Sequence, residues 1–167
     1  MKIFVKLTTF VGLLLYIGMA SAAELFSDAW MKCFMEEWNK ETVGLTEPLA
    51  NLDNPFSAKI AYGFYDAEKA TGILVVETGK ATSAGTYNGE EVEWDLRAKP
   101  ESWTKWLKEG IGKLDMGKPA MFGGLGFEKG AYGAMMKDPS MMSPFIKSLA
   151  KPESWTKWLK EGIGKLD

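Results

Sequence analysis

The chain has 167 residues, 46% hydrophobic and 25% charged, and its 20 basic and 22 acidic side chains leave a formal net charge of −2. A mildly acidic chain offers no basic face for phosphates, which argues against a nucleic-acid partner. The sequence contains no histidine and a single cysteine, Cys33, which removes Ser-His-Asp and Cys-His catalysis, ordinary zinc sites and an intramolecular disulfide.

Lys2 and Lys6 precede an apolar stretch from Leu7 to Met19 that meets Ala20-Ser21-Ala22-Ala23. A basic start, an apolar run and a small-x-small site predict a secretory signal peptide over residues 1–23. The stretch falls short of the roughly 20 residues of a comfortable membrane span. Loss of Lys2 and Lys6 would leave 18 basic against 22 acidic residues, a net charge of −4. What remains suits one domain with a sizeable core.

The first predicted element of the exported chain is an amphipathic helix. Phe26, Trp30, Phe34 and Trp38 recur every four residues, and Met31, Cys33 and Met35 widen the apolar face. In that stripe Cys33 reads as a buried, inert thiol. Glu36 and Lys40 are spaced as an exposed i,i+4 pair. Gly44, Pro48, Asn51, Asp53, Asn54 and Pro55 then form a loop.

Four strand-like runs follow. In the first, Ile60, Tyr62 and Phe64 share one face, and Ala61, Gly63 and Tyr65 the other. The second, Gly72 to Thr78, is apolar on both sides at its centre and is expected in the middle of a sheet covered on both faces. Gly79-Lys80 turns into a weaker run from Ala81 to Tyr87, and Asn88-Gly89 is the strongest hairpin signal in the chain. The fourth run places Val92, Trp94 and Leu96 inward and Glu91, Glu93, Asp95 and Arg97 outward. Short connections predict an antiparallel meander.

Pro100 opens a helix predicted over 100–114, with Trp103, Trp106, Leu107, Ile111 and Leu114 in one apolar sector. Two uses fit this face: packing on the sheet, or docking at a membrane surface. Leu125 and Phe127 alternate around Gly126 in a short fifth strand, and two short helices follow around 131–137 and 141–149. Residues 150–167 then repeat residues 98–115 letter for letter, AKPESWTKWLKEGIGKLD. Structural need alone does not keep solvent-facing positions such as Lys99, Thr104 and Glu109 identical to Lys151, Thr156 and Glu161. Two copies are too few for a stacked-repeat architecture. The second copy therefore reads as a recent duplication, an assembly error or an engineered tail, an amphipathic helix appended to a domain spanning 24–149.

Conventional chemistry is hard to place on this chain. Gly124, Gly126 and Gly130 have the wrong spacing for a dinucleotide fingerprint, and the Gly-Lys pairs lack the Ser or Thr of a phosphate loop. The carboxylates alternate on a strand or sit on helix surfaces, and nothing marks two as facing each other across a cleft. Met116, Met121, Met135, Met136, Met141 and Met142 crowd one stretch. Thioethers of this kind either fill irregular gaps or wall a pocket that accepts apolar ligands of variable shape. These residues assign no enzyme activity, cofactor or metal.

The order of elements, with FMEEWNK at 34–40, GEEVEWDLRAKPESWTKWLKEG at 89–110 and PAMFGGLGFEKGAYGAMMKDP at 119–139, resembles the sterol carrier protein 2 (SCP2) family. Glu128, Lys129, Gly130 and Met135 sit at positions similar to the family's strand-to-helix turn. The resemblance implies an α+β fold: a five-stranded, mostly antiparallel sheet covered by helices. It implies an apolar tunnel for sterols, fatty acids or other lipids, without catalysis. Eukaryotic members are often peroxisomal and end in a targeting tripeptide, whereas this chain ends Lys165-Leu166-Asp167 and starts with an export signal. The implied place is the bacterial periplasm, with transient membrane contact as a secondary role. The pocket is expected between Phe64 and Trp94 on the sheet and Trp106, Leu107, Ile111, Met121, Met135, Met136 and Phe145 on its cover. The competing expectation is an exported accessory or interaction protein of the same fold with its cavity packed shut.

Overall fold

The computed structural model describes residues 24–116, 118–130 and 132–149, without the side chains of Lys113, Ala134 and Met136. The expected signal peptide (1–23) and the second copy (150–167) lie outside the described residues. Helix α1 spans Asp28–Lys40, and the Ser27 hydroxyl caps it by accepting from the Trp30 amide at 3.3 Å. Trp30, Met31, Phe34 and Trp38 are buried along it, as their spacing predicts, while Cys33 is half-buried rather than sealed in. Lys40 pairs with Glu37 at 2.6 Å, three residues back, and not with Glu36.

Phe26 lies outside the helix, in the left-handed region at φ 65°. That backbone costs roughly 1–2 kcal/mol for a residue with a Cβ. It delivers the ring into contact with Trp30, Tyr62, Phe64 and Trp103, at centroid separations of 5.1–5.8 Å. Each such pair is worth about 0.5–1.5 kcal/mol beyond its buried area, so aromatic packing outweighs the backbone strain.

After a π-helical turn at Thr42–Thr46 and the short helix α2 (Glu47–Ala50), the sheet begins. Its strands are β1 (Ala58–Phe64), β2 (Gly72–Glu77), β3 (Lys80–Thr86), β4 (Trp94–Ala98) and β5 (Gly126–Lys129), ordered β3-β2-β1-β4-β5. Thr78 and Gly79, with φ 49° and 78°, make the tight turn between β2 and β3. A Cβ on Gly79 would stand 2.5 Å from the Thr46 carbonyl oxygen, so this turn also needs glycine for space.

Two strand expectations are corrected. The central strand is β1, not β2, and β4 pairs parallel with β1 in place of continuing the meander. Asn88-Gly89 makes no hairpin. It belongs to the crossover, where the Glu90 carboxylate accepts from the Asn88 amide at 2.8 Å. The reason is burial. The free edge of β3 exposes Thr82, Ser83 and Thr86, whereas pairing with β1 places Trp94 and Leu96 beside Ile60 and Tyr62 in the main core. The sheet remains mostly antiparallel, with one parallel pair among its four.

The main core lies between one sheet face and the helices. Ala61, Ala70, Ile73 and Val92 form a smaller cluster. Val92 therefore leaves the company of Trp94, because β4 starts only at Trp94. Arg97, expected in solvent, is 6% exposed. Its guanidinium clasps both carboxylate oxygens of Asp95 and donates to the Ala67 carbonyl at 3.1 Å, which gives the buried charge a partner and hydrogen bonds.

Helix α3 runs Pro100–Glu109 and ends at Gly110, with φ 85°. It is shorter than predicted, so Leu114 falls on the separate turn α4 (Lys113–Met116) and is 81% exposed. A 3-10 turn at Ala120–Phe122 leads to β5, followed by α5 (Tyr132–Lys137) and α6 (Pro139–Leu149). Among the described residues no helix is long and apolar enough to cross a membrane.

Candidate functional site: an aromatic core with a line of cavities

Among the described residues, three hollows that share wall residues follow one another through the helix-covered side of the sheet. The inner cavity, about 10 Å³, is walled by Trp30 and Phe34 of α1, Tyr62 of β1, Trp106 and Leu107 of α3, and Leu149 of α6, among others. A second cavity of the same size lies among Trp38, Ile60, Tyr62, Trp94, Met141 and Phe145. Tyr62 belongs to both walls. Outside them is a groove of about 650 Å³ along residues 52–57, Trp94, Asp138, Ser140 and Met141. Phe56, Trp94 and Met141 separate the groove from the second cavity.

A volume of about 10 Å³ accommodates roughly one water. The described residues thus hold a closed, interrupted line and no open tunnel. Helix α6 contributes a wall to each of the three hollows through Met141, Phe145 or Leu149. It is the element whose displacement would join them. Pro144 interrupts its hydrogen-bond ladder, since proline has no amide hydrogen. Its outer tie, Lys147 to Glu41 at 3.5 Å, is partly exposed and worth little in water.

Two tryptophans around these cavities donate to backbone oxygens. Trp38 Nε1 reaches the Gly79 carbonyl and Trp103 Nε1 the Gly63 carbonyl, each at 3.0 Å. Trp106, 1% exposed, has no acceptor for its Nε1–H among the described residues. Tyr62 is 2% exposed, and burial alone pushes its hydroxyl far above the ordinary value for a phenol. At the mouth, hydrogen bonds from the Ser140 hydroxyl and amide hold the Asp138 carboxyl below the usual carboxylate range. Among the described residues no group of three or more Cys, Asp and Glu side chains is placed to hold a metal ion.

The residues expected to form the pocket divide. Trp106 and Leu107 wall the inner cavity, and Trp94 and Phe145 the second. Ile111 and Met135 are buried and Phe64 is half-buried, all packed in the same core but lining neither cavity. Met121 is 51% exposed on the 3-10 turn and does not face the core, because Gly123 turns the chain back toward the sheet immediately after it. The Met136 side chain lies outside the described residues. Helix α1 and Tyr62 supply walls that the expected set omitted, although the four-residue aromatic repeat and the Ile60–Tyr62–Phe64 alternation had marked both faces as buried.

A helix leading into a five-stranded mixed sheet, with further helices after the fourth and fifth strands, defines an SCP2-like α+β fold. Solved structures of other proteins share it. A crystal structure of sterol carrier protein 2 superposes with a TM-score of 0.57 at 19% identity, covering 75% of this chain and 97% of its own. A conserved hypothetical protein of Thermus thermophilus, described as a candidate sterol carrier protein, matches with a TM-score of 0.55 at 20% identity. That match covers 80% of this chain and 94% of the other. No protein-family model and no curated protein sequence matches the chain.

Proposed function

We propose that this protein binds a sterol, fatty acid or other lipid between the inner sheet face and helices α1, α3 and α6, without catalysis. The observation carrying this reading is the line of hollows that shares walls at Tyr62 and at Phe56, Trp94 and Met141. Capture would follow displacement of α6, and burial of apolar surface would stabilise the complex at roughly 25 cal/mol per Å². The shared fold with sterol carrier protein 2 supports it. Export to a bacterial periplasm, on the strength of the first 23 residues, and transient contact with a membrane surface complete the proposal. Phe122 and Met121, 74% and 51% exposed on one turn, offer apolar side chains for such contact.

A second reading keeps the fold but not the ligand: an exported accessory protein whose cavity stays shut. The small size of both inner cavities favours it. Titration with a neutral, environment-sensitive apolar dye separates the two readings. The lipid reading expects saturable enhancement that is lost in Met141→Glu, a half-buried position shared by the second cavity and the groove, with circular dichroism confirming that the variant is folded. Absence of any enhancement in the folded wild-type protein supports the accessory reading.

A further inference from the structure

Leu25 and Phe26 precede helix α1, yet both line the inner cavity. They are 8% and 2% exposed. The Phe26 ring stacks on Tyr62 of β1 at 5.8 Å, with the planes inclined by 26°. It meets Trp30 of α1 and Trp103 of α3 edge to face, at 5.3 and 5.1 Å. A side chain from outside the regular elements thus occupies the place where sheet and cover converge.

This ring is separable from the fold around it. The bonds of α1 begin after it: the Ser27 hydroxyl caps the helix, and the Ser27 carbonyl accepts from the Met31 amide at 2.8 Å. Leu25 and Phe26 can therefore swing out about Ser27 while α1 stays wound. Phe26 is held at φ 65°, a backbone that a residue with a Cβ rarely adopts. Leaving the core relieves that strain, and strained positions of this kind gather at ligand clamps and switches. The turn itself closes through the Ser27 amide and the Glu24 carbonyl at 2.9 Å, groups that water satisfies once the turn opens.

The inner cavity, at about 10 Å³, has no room for an acyl chain or a ring. Displacement of α6 would join the hollows and still leave this end filled by Phe26. Vacating the ring adds the volume of a phenyl group to a space already walled by aromatic side chains. Dry apolar hollows of about 150 Å³ take up benzene.

We propose that Leu25 and Phe26 form a displaceable plug, and that the apolar end of a bound lipid replaces the Phe26 ring among Tyr62, Trp30 and Trp103 as the plug swings out about Ser27. This rests on the lipid-binding reading and deepens it, by assigning the inner end of the site and the side chain that competes for it. The plug lowers the observed affinity in proportion to the fraction of molecules in which it is out.

The test uses the full chain and toluene, which has the structure of the phenylalanine side chain. Wild-type protein carrying isotope-labelled phenylalanine is titrated with toluene and followed by NMR. The Phe26 ring signals are shifted by the rings packed around them, and they should move toward unfolded-chain positions as toluene saturates. Phe26→Gly removes the ring and suits the left-handed backbone. It should bind toluene at least about tenfold more tightly than wild type by calorimetry. The NMR measurement needs no variant and stands even if Phe26→Gly folds poorly. Saturation by toluene with the Phe26 signals unmoved overturns the inference while leaving apolar binding intact. So does a folded Phe26→Gly that binds toluene no more tightly than wild type. Failure of both proteins to take up toluene or the apolar dye would instead remove the lipid-binding reading itself, and the plug with it.

Discussion

Trp94 of β4 and Phe145 of α6 lie with ring centroids 5.9 Å apart and their planes inclined by 31°. This contact closes the second cavity from the cover side, and Phe127 joins it at 5.8 Å from each ring. The cluster couples the position of α6 to the sheet. It is a better candidate for the latch than the exposed Lys147–Glu41 pair, because apolar and aromatic contact survives in water where a surface ion pair is screened.

Phe145→Ala should therefore loosen the cover. Phe145 is half-buried, so the loss of stability should be about 2 kcal/mol, below the range for a fully buried phenylalanine. Amide exchange should accelerate in 139–149 more than in β1, and apolar dye should be taken up faster. Denaturant titration, hydrogen exchange and stopped-flow fluorescence read the three effects.

The tryptophan donors predict an asymmetry in stability. Trp103→Phe removes the Nε1 hydrogen bond to the Gly63 carbonyl and should cost about 0.5–1.5 kcal/mol, in addition to lost packing. Trp106→Phe removes a donor with no partner among the described residues and carries only the packing loss. Chemical denaturation of the two variants should place Trp103→Phe as the less stable.

The alkaline limit of stability should depend on Tyr62. Its folded-state pKa is raised by burial, so the folded protein holds the phenolic proton after the unfolded chain has released it. The contribution is intact below the unfolded value of about 10 and falls as pH rises above it. Tyr62→Phe should flatten that decline in a pH series of denaturation curves. A wild-type curve equally flat above about pH 10 would contradict the assignment.

Sequence periodicity made several parts of this fold legible. The buried positions of α1, the inner face Ile60–Tyr62, Pro100 at the start of α3 and the short fifth strand all follow from spacing and local chemistry. What it obscured was long-range. The parallel pairing of β4 with β1 depends on where Trp94 and Leu96 find apolar neighbours, and the Asn88-Gly89 turn gives no hint of it. Arg97 reads as solvent-facing by alternation, yet Asp95 two residues earlier in the strand neutralises it under cover. Trp94, Trp106, Leu107 and Phe145, which line the two inner cavities, belong to helix and strand faces with clear periods. Met121 lies in a glycine-rich segment without a period, and there composition says nothing about direction.

Solvent extraction of the purified protein, followed by mass spectrometry, tests the central claim most directly. Lipid binding in the covered core predicts a lipid recovered in near-stoichiometric amount from folded wild-type protein and depleted from Met141→Glu. A folded wild-type protein that yields no lipid, and takes none up when lipid is supplied, would contradict it.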